Sequence, residues 1–161
     1  MPIAISEPWS TADFLVAAIA LAHALDEIHE RGLVHRAIDP AFITFDAQTG
    51  RATFGHGESP APAYLAPEQT GRLNRRADAR GDLYSLGLVF YEMLTGAKPW
   101  VATTPSEWAH RHVARAPAPL PERVPGSVAA IVRRLIAKNP DERYQTAAGL
   151  AYDIEAAKVA W

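Results

Sequence analysis

The sequence predicts a mainly α, single-domain fold with small β-hairpin elements. Three observations carry that expectation. Apolar residues recur at helical spacing near the start, at Phe14, Ala18, Leu21, Leu25 and Ile28. A second stretch, Asp82 to Leu94, is apolar nearly all round through Leu83, Leu86, Leu88, Val89, Phe90, Tyr91 and Met93, the pattern of a helix buried mid-domain. Between the two lie only short β-type runs, around Leu33-Val34, from Phe42 to Phe45 and from Arg51 to Phe54.

Each element has a local signal. Ser10 or Thr11 is suited to cap the first helix, and Asp13 suits the positive end of its dipole. Gly32 stops that helix near Arg31. The turn Asp46-Ala47-Gln48-Thr49-Gly50 joins the later two β-type runs, and Gly55 to Pro62 reads as a Gly- and Pro-rich loop. Gly96 ends the buried helix. A short helix opens at Pro105 or Ser106 and runs to about Val113. The four prolines between Ala116 and Pro125 predict irregular chain. Ser127 is placed as the cap of a helix to Ala137, and Thr146 as the cap of a last helix to about Val159. The whole of 1–161 reads as one domain with its core at about 11–159.

Composition excludes several classes. Hydrophobic residues make up 48% and charged residues 21% of 161, enough apolar content for a real core. The net charge of -2 argues against nucleic acid or an anionic membrane as the main partner. With no cysteine there is neither disulfide nor thiolate metal site, which fits the cytoplasm. No apolar run approaches ~20 residues, so no membrane-spanning helix is expected. Met1 to Ser10 lacks the basic region of a signal peptide.

Five segments then fall in a telling order. They are His35-Arg36-Ala37-Ile38-Asp39-Pro40-Ala41-Phe42-Ile43, Tyr64-Leu65-Ala66-Pro67-Glu68, Asp82-Leu83-Tyr84-Ser85-Leu86-Gly87, Glu92 to Trp100, and Leu135 to Tyr144. The first resembles the HRDxKPxN catalytic loop of eukaryotic-like protein Ser/Thr kinases. The others resemble, in turn, the YxAPE end of the activation segment, the start of the central helix, the ELLTGxxPF motif and the LLxKdPxxRy motif. The resemblance covers about Phe14 to Tyr152 and implies a protein-kinase-like C-terminal lobe. Pro67 to Arg75, followed by Asp82 to Gly87, is also similar to the kinase-type domain at the front of large bacterial signalling proteins that carry an ATPase and often a histidine kinase.

What the resemblance implies for the site is divided. It places Asp82 as the anchor of the His35-Arg36 turn and Glu68 as the partner of Arg143. It also places Ala37 at the catalytic Asp, Asp39 at the phosphate-facing Lys and Phe42 at the metal-binding Asn. The metal-binding Asp falls at Thr53 if the hairpin is shortened, or at Gly55 of Gly55-His56-Gly57 if it is not. No Asp lies between Asp46 and Asp78, so either register loses the carboxylate. A methyl accepts no proton, a phenyl ring binds no hard cation, and a carboxylate repels phosphate. The only lysines are Lys98, Lys138 and Lys158, and 34 residues precede His35, so an N-lobe with its phosphate-binding lysine and glycine-rich loop is expected to be absent.

Other constellations carry less. His110 and His112 are two apart and cannot share a helix face, and no HExxH occurs. Arg72, Arg75, Arg76 and Arg80 beside Asp78 read as a solvated loop rather than an anion site. The expectation is a catalytically dead kinase-like domain without catalytic, cofactor or metal residues, acting as a protein-interaction or scaffold module in bacterial signalling. Its partner would be a protein or an adjacent signalling domain, or a second copy docked on the surface left near Leu33, Phe42 and Phe54. The alternative is a Ser/Thr kinase fragment whose ATP and magnesium binding and phosphotransfer are completed by a missing N-lobe.

Overall fold

The computed structural model describes residues 2–161. Five α-helices and one two-stranded hairpin follow in the order α1 (Thr11–Glu30), β1 (Ile43–Asp46), β2 (Arg51–Phe54), α2 (Ala79–Thr95), α3 (Pro105–Ala114), α4 (Gly126–Leu135) and α5 (Ala147–Ala160). Short 3-10 turns fill several joints, among them Pro40–Phe42, Pro62–Tyr64, Pro67–Gln69 and Pro140–Glu142. The expected mainly α class with a small hairpin holds, and no N-lobe sheet lies among the described residues.

Helix α2 is the axis. Every residue from Gly81 to Leu94 is buried, as its all-round apolar pattern requires. Helices α1 and α4 both pack on it, and α5 packs across α1 and α4. Phe14 meets Phe90 edge-to-face at 5.2 Å, a favoured aromatic geometry, and this ties α1 to α2. The hairpin is antiparallel with Ile43 opposite Phe54 and Thr44 opposite Thr53, and β2 rests on α1. Ile3 extends along β1, its amide donating to the Ile43 carbonyl at 2.9 Å.

The caps are mostly where the sequence puts them. Ser10 Oγ accepts the Asp13 amide at 3.1 Å, and Thr146 Oγ1 accepts the Gly149 amide at 3.0 Å. Gly96 closes α2 at φ 80°, in the left-handed region that suits glycine. Helix α2 begins at Ala79, three residues ahead of the apolar run, because Asp78 Oδ1 caps it through the Arg80 amide at 2.9 Å.

Four expectations are corrected. Leu33-Val34 forms no strand; the amides of the next two residues, His35 and Arg36, turn inward to the Asp82 carboxylate. Phe42 sits in a 3-10 turn, so the strand starts at Ile43. Ser127 lies inside α4 rather than capping it, since the helix starts at Gly126 after Pro125. Helix α4 also stops at Leu135, short of Ala137, and the Ala137 and Lys138 carbonyls turn to accept the Arg143 guanidinium instead.

At the crossing of α2 and α4 the approach is set by Gly87. A Cβ there would lie 2.6 Å from Leu135 Cβ and 2.7 Å from Ile136 Cγ2. Gly87→Ala is expected to push the helices apart and lower stability by about 1–3 kcal/mol, read as a drop in urea midpoint with an unchanged slope.

Candidate functional site

The site is organised by one buried carboxylate. Asp82 stands in the first turn of α2 and is 2% exposed. Its Oδ2 accepts the His35 amide at 2.8 Å and a bond from His29 Nε2 at 2.8 Å, and its Oδ1 accepts the Arg36 amide at 2.8 Å. Arg36 has φ 70°, the only non-glycine residue among those described with a positive φ. Such a conformation costs about 1–2 kcal/mol, and two charge-assisted bonds to adjacent amides are enough to hold it. The Arg36 carbonyl accepts from Gln69 Nε2 at 2.9 Å, which fastens the loop to the 67–69 turn.

His35 carries the loop to the hairpin. Its Nδ1 accepts the Ala37 amide at 3.1 Å, so the proton sits on Nε2, which donates to the Gly55 carbonyl at 2.9 Å. Burial lowers its pKa, and His56, stacked on it with ring centres 3.8 Å apart, pushes the same way. Gly55 also donates its amide to the Phe42 carbonyl at 2.7 Å. Thus Gly55, and not Thr53, is the residue that the loop addresses. Thr53 lies within β2, with its hydroxyl hydrogen-bonded to that of Thr44.

The remaining loop positions carry little polar chemistry. Ala37 offers a methyl. Asp39 Oδ1 accepts the Ala41 amide at 2.9 Å and caps the 40–42 turn. The Phe42 ring lies over Gly57, where an added Cβ would come within 2.6 Å of it. A magnesium triphosphate needs several convergent oxygens and a cation. A methyl, a phenyl ring, a glycine and one capping carboxylate do not fit it. No group of three His, Asp or Glu side chains suited to a metal gathers among the described residues.

A second anchor joins the 67–69 turn to the lower helices. Arg143, fully buried, directs all five of its N–H donors at acceptors. Glu68 takes two, from Nη1 at 2.7 Å and Nη2 at 3.0 Å; the carbonyls of Ala137, Lys138 and Arg80 take the others. Nearby, Tyr64 donates to Glu92 at 2.6 Å and Ser85 to the Tyr64 carbonyl at 2.6 Å, so the 62–69 segment is pinned to α2. Of the predicted arginine cluster, Arg75 and Arg80 pair with Asp141, Arg80 also with Asp78, and Arg72 bonds Ser106.

His29, Gln69 and His112 are site residues the sequence did not expose. The partners that tie them to the site lie 28 to 53 positions away, and no local pattern marks them. His112 is fully buried among Tyr84, Trp100 and Trp108. It accepts from Tyr84 Oη at Nδ1 (3.0 Å) and donates from Nε2 to the Pro62 carbonyl (2.9 Å). Burial drives its pKa down to about 4.

A helical lobe whose central helix anchors an HR turn through a buried Asp, with a Glu–Arg pair beneath it, defines the class as a protein-kinase-like C-lobe. Residues 6–153 match the protein kinase domain family, and the chain belongs to that family. It is 33% identical over 172 aligned positions to a probable serine/threonine-protein kinase of Corynebacterium efficiens, covering 92% of this chain and 26% of that protein. It is 37% identical over 151 positions to the serine/threonine-protein kinase PknB of Mycolicibacterium smegmatis, covering 81% and 24%. Hybrid signal transduction histidine kinase G of Dictyostelium discoideum shares 43% over 99 positions, covering 60% and 3%. The chain spans about a quarter of the length of these bacterial relatives.

Two predictions follow from the anchors. Glu68→Ala strands a fully buried guanidinium and is expected to cost roughly 3–5 kcal/mol, seen as a lower melting temperature or loss of the cooperative melt. His112, neutral when folded, gains its proton in the unfolded chain near the ordinary value of 6.5 but only near 4 in the native one. Its contribution is whole above pH 6.5 and shrinks as pH falls toward 4, by up to about 3 kcal/mol. Chemical denaturation at pH 7 and pH 4.5 is expected to show a larger acid loss in the parent than in His112→Gln.

Proposed function

We propose that this chain is a catalytically inactive protein-kinase-like domain that acts as a protein-interaction or scaffold module in bacterial signal transduction. One observation carries the reading. The HR turn is held in place by Asp82, while the motif resemblance sets Ala37, Asp39, Phe42 and either Thr53 or Gly55 at the positions where the family's chemistry would need an acid, a cation and two metal ligands, and none of these side chains supplies them. Loss of positioned acid–base help alone lowers a rate by ~10²–10⁴, and loss of the metal compounds it.

Leu33 and Phe42 are large apolar side chains that are 49% and 40% exposed on the same loop segment, which supports a protein partner there. That partner is an adjacent signalling domain, an N-lobe or a second copy. The corynebacterial and mycobacterial relatives support a bacterial setting, and the hybrid histidine kinase supports a place in a multidomain signalling protein. No helix of the described residues is long and apolar enough to cross a membrane, in keeping with work in the cytoplasm.

The test is nucleotide binding. The melting temperature is expected to stay constant when ATP is added with or without magnesium. A magnesium-dependent rise would overturn the reading and favour a kinase fragment that binds ATP and gains phosphotransfer from a supplied N-lobe.

A further inference from the structure

Away from the loop, a cavity of about 430 Å³ opens between α2, α4 and the proline-rich segment 116–120. Its volume falls in the range of small-ligand sites, roughly 300–1,000 Å³. Most of the wall is apolar, including Pro117, Pro119, Leu120, Val132 and Ile136. The Tyr91 hydroxyl, at the α2 side, is already spent on the Ala118 carbonyl at 3.0 Å.

Charge in the lining is of one sign. Arg133 and Lys138 line the cavity and no carboxylate does. Neither cation forms an ion pair among the described residues. Lys138 is the unusual one. Its ammonium makes a single hydrogen bond, to the Arg111 carbonyl at 3.2 Å, and lies 4.5 Å from the centre of the Trp100 ring and 5.8 Å from that of Tyr84. Three donors thus meet one oxygen and two aromatic faces. Burial, with the Arg143 guanidinium close by, brings its pKa down to about 8. The buried carboxylate beside Arg143, Glu68, takes both of its bonds from that guanidinium.

We infer that this cavity is a binding site for a small apolar monocarboxylate, its hydrocarbon part among Pro117, Leu120, Val132 and Ile136 and its head group at Lys138. A half-buried ammonium without a counter-ion is unfavourable. An apolar acid answers both features, since it removes hydrocarbon surface from water and supplies the missing anion. The site is separate from the loop that carries the proposed function and stands whether or not that loop binds nucleotide.

The experiment uses the purified 161-residue chain titrated with sodium octanoate and, separately, with octanamide, followed by amide chemical shifts. Saturable shifts confined to α4 and residues 116–120 are expected, with octanoate binding roughly tenfold more tightly than the amide. Lys138→Met is expected to erase that difference. Because it also removes the bond to Arg111, Ala129→Phe serves as a second variant; it fills the cavity, keeps the ammonium and is expected to abolish binding of both ligands. A rise in the Lys138 amine pKa on adding octanoate is expected in the parent. Equal affinity for acid and amide, shifts mapping elsewhere, or no saturation at all would overturn the inference.

Discussion

The fold turns on a single carboxylate placed at the head of a buried helix. Asp82 belongs to α2 by sequence and to the HR loop by bonding. Without it, two adjacent amides and His29 Nε2 would be buried near an apolar core with no acceptor, and each such group costs about 1–3 kcal/mol. Its position also fixes the loop's path. The left-handed Arg36 lies on the segment between α1 and the hairpin, and the chain runs on from Ala37 into β1 at Ile43. His35 then reaches the Gly55 carbonyl, and the hairpin's exit is set.

Arg143 does the same for the lower half. Its five donors gather the 67–69 turn, the N-terminus of α2 and the end of α4 around one planar group. In both anchors the charged side chain satisfies mostly backbone, or a partner of opposite sign, in the dry interior. That is why they are tied to the fold and why the chemistry of the loop is not. Ala37 joins the network through its amide, and Phe42 through its carbonyl. A side chain that only faces a substrate can change without unsettling either bond. The architecture and the reaction are therefore physically separable in this lobe, and a sequence can keep one while losing the other.

That separation also governs what could be read in advance. Helices α1 and α2 were legible because burial imposes an apolar stripe on the one and an apolar surface all round the other, while α5 was placed by its cap at Thr146. The pairs Asp82 with His35-Arg36 and Glu68 with Arg143 span 46 to 75 positions, and only the family resemblance brought them together. The misses have physical causes. Leu33-Val34 has strand composition but no strand partner, because its neighbours' amides go to Asp82. Ser127 looks like a cap, yet α4 starts one residue earlier at Gly126. Spacing left Thr53 and Gly55 as alternatives; Thr53 is paired with Thr44 across the hairpin, and Gly55 is the one bonded to His35 and Phe42. Residues such as His29 and His112 are single polar groups with distant partners, and nothing local distinguishes them from surface histidines.

The aromatic at position 42 has a packing role of its own. Its ring occupies the space above Gly57 so closely that any side chain there would clash, and its carbonyl holds the Gly55 amide. The loop and the hairpin exit are thus packed against each other by hydrocarbon, where an enzyme of this family would keep an oxygen and room for an ion. A smaller polar residue at 42 alone would leave a void beside Gly57, because a glycine opposite has no side chain to fill it. Positions 42, 55 and 57 constrain one another, so a change on one side of the contact would require a matching change on the other.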